Sequence, residues 1–150
     1  MRQRITIALG ISLVLMSATG CKKKEPPKTF AVSGTVKFKD GMKMNAGLVE
    51  FRSEAPATKG VKARGVIQAD GTFSLKTNIQ GKDQDGAVEG EHLVIVLPPA
   101  AANPEDMDAP PPEQPAASPI NERFSNYAES GLSFTVTPGD KNHYDIPVER

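Results

Sequence analysis

The chain has 150 residues, with 18 Lys and Arg against 18 Asp and Glu, no tryptophan and a single cysteine. That length fits one domain. The balanced charge excludes the broad basic excess expected of a nucleic-acid or other polyanion binder, and one cysteine excludes an internal disulfide framework.

In chain order, the first 20 residues read as an export signal. Arg2 and Arg4 make a positive start, Ile5 to Met16 form an uncharged apolar run, and Ser17-Ala18-Thr19-Gly20 supply the small side chains a signal peptidase needs. As a helix the run would reach only ~18 Å, short of the ~30 Å hydrocarbon core of a bilayer, so it suits targeting better than spanning.

Ala18-Thr19-Gly20-Cys21 resembles a bacterial lipobox, with Ala18 where Leu is commoner. The resemblance implies cleavage between Gly20 and Cys21, with Cys21 carrying diacylglycerol and palmitate-type acyl chains as the new N-terminus. An ordinary secretory cut at the same bond satisfies the same small residues, but it would leave a lone thiol in an oxidising compartment. Cleavage removes Arg2 and Arg4 and no acid, leaving 16 basic against 18 acidic residues, a balance of −2. Lys22, Lys23 and Lys24 then stand beside the anchor, solvated or touching anionic headgroups.

Residues 21–29, including the proline-rich KKKEPPK run, read as a tether, and 30–150 as the folded domain. From Val32 to Lys39 apolar and polar residues alternate, the signature of a half-buried strand, and Asp40-Gly41 signals a turn. A second strand covers 47–52, with Leu48 and Glu50 facing one way and Val49 and Phe51 the other. Alternation over 61–69, Asp70-Gly71 and alternation over 72–77 read as a hairpin closed by a two-residue type I′ turn.

Residues 81–90 read as turn-rich, and Leu93 to Leu97 as a strand buried on both faces. The stretch 98–119 holds eight of the 13 prolines and six alanines, which predicts a disordered, exposed loop. Ile120 to Tyr127 reads as a short helical turn or irregular crossing. Strands at 132–137 and 143–148 complete an all-β, antiparallel sandwich of about seven strands.

Val32-Ser33-Gly34-Thr35-Val36-Lys37-Phe38-Lys39-Asp40-Gly41, Ala46-Gly47-Leu48-Val49-Glu50-Phe51, Asp70-Gly71-Thr72-Phe73-Ser74-Leu75 and Gly90-Glu91-His92-Leu93-Val94-Ile95-Val96 carry a resemblance. Together they are similar to the carboxypeptidase regulatory-like, or transthyretin-like (prealbumin-like), domain, in the form found in short lipoproteins of planctomycete bacteria. The resemblance implies a β-sandwich and says little of function, because the shared residues are turn formers and core apolars. One branch of that fold, the 5-hydroxyisourate hydrolases, shares a Tyr-Arg-Gly-Ser ending. Here the sequence reads Ile146-Pro147-Val148-Glu149-Arg150, so the hydrolase site is not carried over.

No residue pattern demands catalysis. His92 and His143, the two histidines, stand apart in sequence, and no serine has a nucleophile-elbow setting. Asp83 and Asp85 are weak metal candidates, because Asp83-Gln84-Asp85-Gly86 begins like a calcium loop but lacks the later ligands; a polar turn is the simpler reading. Phe124 and Tyr127 are the aromatic pair placed to be exposed, although packing on the sandwich fits them as well.

The sequence therefore points to a lipid-anchored, extracytoplasmic, non-enzymatic envelope structural or binding module. Its partners would be membrane lipid through Cys21 and an envelope protein or glycan, on the inner or outer membrane, with no cofactor and no nucleic acid. Edge strands and the 98–119 loop would be the contact surfaces. The alternative is a small-ligand or carbohydrate carrier using the end of the sandwich. A convergent polar pocket holding His92, His143 or Arg123 would favour that alternative.

Overall fold

The computed structural model describes residues 25–99, 120–139 and 142–150. The signal segment with Gly20 and Cys21, the Lys22–Lys24 run and residues 100–119 of the proline-rich stretch lie outside the described residues.

Among the described residues the chain forms eleven strands: β1 (Thr29–Phe30), β2 (Val32–Phe38), β3 (Leu48–Ser53), β4 (Lys62–Val66), β5 (Thr72–Ser74), β6 (Lys76–Ile79), β7 (Lys82–Asp85), β8 (Ala87–Val88), β9 (Gly90–Leu97), β10 (Leu132–Val136) and β11 (Asn142–Val148). A six-stranded sheet, in the order β10-β9-β3-β4-β6-β7, faces a three-stranded sheet, β11-β2-β5, and β1 pairs with β8 as a small flap. The protein is an all-β sandwich, with antiparallel pairing everywhere except between β2 and β11. These two run parallel in a continuous register from Asn142 opposite Val32 to Val148 opposite Phe38.

The core lies between the sheets. Val49 and Phe51 of β3 and Val94 and Val96 of β9 meet Val36 of β2, Phe73 of β5 and Ile146 of β11, all buried. Phe51 is the centre of an aromatic cluster, with ring centroids 6.4 Å from Phe73, 5.9 Å from Phe134 and 6.1 Å from Tyr144. Each large apolar side chain taken wholly out of water here contributes roughly 1.5–3 kcal/mol before ordering costs.

More strands form than the expected seven or so: one expected strand divides, the stretch expected to be turns adds β7 and β8, and β1 forms at the domain's start. The alternating run at 72–77 is one strand by pattern, yet it breaks at Leu75. There the chain leaves β2's sheet and joins β4's, with the Leu75 amide bonded to the Val32 carbonyl and the Leu75 carbonyl accepting from the Gly86 amide. The supposedly turn-rich stretch at 81–90 contains β7, β8 and the start of β9, folded back on β6 by a turn in which Gln80 and Gly81 both take positive φ.

The Asp-Gly turns also differ from a two-residue hairpin. The Gly71 amide bonds to the Gln68 carbonyl and the Gln68 amide to the Thr72 carbonyl, and the same pattern links Phe38, Gly41 and Met42. Both are longer loops ending in a left-handed glycine, with φ of +80° at Gly71 and +87° at Gly41. The preceding Asp70 and Asp40 each accept a backbone amide two residues on, closing the turn.

Strand pairing begins at Thr29, opposite Val88, so the last tether residue is already part of the domain. Ile120 to Ser130 crosses back to the sandwich through a 3₁₀ turn at Glu122–Ser125, capped by the Asn121 side chain and fixed by buried Phe124.

Candidate functional site

The outer face of the six-stranded sheet carries the densest polar arrangement among the described residues. Alternation sends Leu48, Glu50 and Arg52 of β3 and Lys62, Arg64 and Val66 of β4 to this face. Register then sets rows across the strands. Leu97, Leu48 and Val66 form an apolar row, Glu50 lies opposite Arg64 and Arg64 opposite Lys76, and Arg52 lies opposite Lys62.

Glu50 is the hub. Its side chain is only 4 % exposed, yet it is fully partnered: Lys62 Nζ is 2.9 Å from Oε1, Arg64 Nε donates to Oε2, and the Tyr127 hydroxyl donates to Oε1. Burial pushes this carboxyl's pKa up, but the hydrogen bonds from Tyr127, Lys62 and Arg64 outweigh it and hold the group below the usual carboxylate value. The Tyr127 phenol moves the opposite way, raised above its ordinary range by burial and by its bond to the Glu50 carboxylate.

Arg52 stacks on the Tyr127 ring at 4.0 Å from the centroid and pairs with Glu54 at 3.0 Å. Lys59 reaches the same Glu54 at 3.6 Å. An ionised, saturated carboxylate makes a poor proton acceptor, so the arrangement presents fixed positive charge and has no free base.

The residues singled out in the sequence do not come together. His92 lies in the core, wholly buried, its ring 5.9 Å from that of Phe51; its Nδ1 bonds the Gly90 carbonyl at 2.9 Å and its Nε2 has no hydrogen-bond partner among the described residues. Burial holds the His92 pKa below the usual imidazole value, against the opposing pull of the Gly90 carbonyl. His143 is exposed on β11, 3.2 Å from Ser33 Oγ, and Arg123 is tied at 3.0 Å to Glu149.

Asp83 and Asp85 lie on β7, in a strand where a turn was expected. Asp83 accepts from Asn78 at 2.7 Å, and Asp85, 88 % exposed, is 3.9 Å from Lys76. Among the described residues, no three His, Cys, Asp or Glu side chains gather as a metal site. Phe124 is buried, and Tyr127 lies half-buried beneath Arg52.

A cavity of about 590 Å³ opens at the end of the sandwich where the described chain begins, lined by Pro27, Phe30, Ala55, Pro56, Ala57 and Val88 among others. Neither His143 nor Arg123 reaches it.

Sequence reasoning missed Glu50, Arg52, Lys62, Arg64 and Tyr127 as a group. Alternation in β3 and β4 puts each cation on an outer face, but only the pairing register and the return of Tyr127 make them neighbours. Compared with protein-family models, with curated proteins and with solved structures, the chain matches none.

Proposed function

We propose that the protein is a lipid-anchored, extracytoplasmic β-sandwich that acts as a non-enzymatic binding module of the cell envelope, of the transthyretin-like type its turn and core residues resemble. The observation that carries this reading is that His92, His143 and Arg123 lie apart, in the core, on the outer face of the three-stranded sheet and in the 3₁₀ crossing, and line no common pocket among the described residues. A carrier or enzyme built on the end of the sandwich needs such groups to converge. Its aromatic rings are also engaged: Phe51, Phe73, Phe134 and Tyr144 pack on one another, and Arg52 covers Tyr127. This leaves little for stacking sugars.

The signal-like residues 1–20 and Cys21 support the anchor. Three residues, Lys22 to Lys24, separate Cys21 from Glu25, where the described chain starts, so four Cα–Cα steps would keep Glu25 within about 14 Å of the lipidated residue.

Two measurements on protein from its own host test the reading. Intact mass should begin at Cys21 and carry acyl chains, and cross-linking of intact cells should give discrete adducts of this protein with another envelope component. An unmodified mass overturns the anchor, and an absence of adducts overturns the binding role.

A further inference from the structure

We infer that the outer face of β9, β3, β4 and β6 is a docking surface for an acidic protein, one that places an apolar contact beside carboxylates. This deepens the binding-module reading and rests on it.

The two outer sheet faces of the molecule handle charge differently. On the three-stranded sheet, Lys37 of β2 meets Asp145 of β11 at 2.9 Å, and both are exposed. The six-stranded sheet sets two pairs of like charges directly opposite each other, Arg52 against Lys62 and Arg64 against Lys76, beside the mixed pairs of Glu50 with Arg64 and Lys76 with Asp85. Such pairs destabilise a sheet relative to mixed ones. Glu50 offsets part of that cost from beneath, since it is buried while Arg64 and Lys76 have 60 % and 67 % of their side chains in solvent. Across β3, β4 and β6 the charges that reach solvent are therefore cations, bounded at the β7 end by exposed Asp85.

The adjoining row is apolar. Val66 is 60 % exposed, one of two large hydrophobic residues so placed among the described ones, and it continues through Leu48 to Leu97. A shallow apolar cavity of about 470 Å³ runs along this row, lined by Ala46, Leu48, Val66, Leu97 and Pro98 among others. Apolar contact at the centre with a charged rim is the usual anatomy of a protein interface. An anionic polysaccharide or a headgroup layer would use the cations and leave the Val66 row without a role. Charge complementarity and the apolar row together select an acidic polypeptide.

The test uses the full-length protein in detergent and a synthetic peptide of alternating Glu and Leu. Poly-L-glutamate, alginate and phosphatidylglycerol vesicles serve as the other anionic probes. The Glu/Leu peptide should bind more tightly than the three others and weaken as salt rises. Lys76→Glu and Val66→Glu, which lie outside the Glu50 hub, should each weaken it at least about tenfold. Lys37→Glu on the opposite sheet should leave binding unchanged.

No binding, or binding indifferent to Lys76→Glu and Val66→Glu, overturns the proposal. So does equal binding of alginate or of the vesicles with no dependence on Val66, which would assign the face to a glycan or a membrane. Envelope adducts that survive both substitutions would sink this face while leaving the binding module standing.

Discussion

The phenol of Tyr127 donates its proton to the carboxylate of Glu50, 77 positions earlier in the chain, and this bond ties the 3₁₀ crossing to the sheet beneath it. Glu50 keeps Lys62 and Arg64 as partners when the hydroxyl is removed, so Tyr127→Phe should cost about 1–2 kcal/mol. Glu50→Ala should cost more, about 2–3 kcal/mol, because it strips Tyr127, Lys62 and Arg64 of their shared acceptor at once. Urea unfolding of the two variants gives the order; a Tyr127→Phe effect as large as that of Glu50→Ala would show that the phenol, rather than the charge balance, holds the crossing.

The pKa of His92 is lowered in the folded protein, so the unfolded chain takes up the proton first as pH falls. The neutral-His92 contribution is whole above the unfolded value of 6.5 and is lost as pH drops through the folded one. Stability should therefore decline below about pH 6.5 with a slope of at most about 1.4 kcal/mol per pH unit from this group. His92→Phe keeps a ring beside Phe51 and removes the titration, so its melting temperature should be flatter between pH 5 and pH 7. An unchanged slope in that variant would place the acid sensitivity elsewhere.

Asn142 is buried at the head of β11 and uses both ends of its amide. Its nitrogen donates to the carbonyls of Ala31, Thr137 and Gly139, and its oxygen accepts from the Thr137 amide and the Tyr144 hydroxyl. Asn142→Asp keeps the shape but turns three donations into contacts between oxygens, with a charge out of water. It should destabilise by about 3 kcal/mol or more, and by more than Asn142→Ala. Thermal unfolding of the pair decides it: an Asp variant no worse than the Ala variant would mean that the site is open to water.

Gly34 and Gly86 mark places where one backbone presses on another. A Cβ on Gly34 would lie 2.0 Å from the Tyr144 carbonyl oxygen, and one on Gly86 1.9 Å from that of Phe30. Gly86 also has φ of +91°, a conformation side chains resist. Either change to Ala should cost several kcal/mol, seen as loss of soluble protein or a large fall in melting temperature. Gly41→Ala is the comparison: φ there is +87° with open space around it, so only the backbone cost of about 1 kcal/mol applies.

The strands that sequence made legible are those with one dry face, and β9 with its continuous apolar run. In β2, Val32, Val36 and Phe38 are buried while Ser33 and Lys37 are not, and β10 and β11 repeat the pattern. Strand β7 was not legible, because Lys82-Asp83-Gln84-Asp85 buries no residue and carries no hydrophobic signal; it exists through its pairing with β6. The break at Leu75 was hidden for a different reason, since alternation says which residues face inward but not which of two sheets receives them. The same holds for Glu50. Its neighbours along the chain are ordinary strand residues, and its burial depends on Tyr127 arriving from the far side of the proline-rich stretch.

The parallel pairing of β2 with β11 sets the order in which this domain can be made. The first long strand of the chain has its partner in the last, with Ser33 and His143 brought together across 110 positions. The three-stranded layer that closes the core cannot exist until β11 has been made. A domain delivered from the β2 end would thus stay open until β11 arrives, so its closing step brings together strands far apart in sequence, which slows folding.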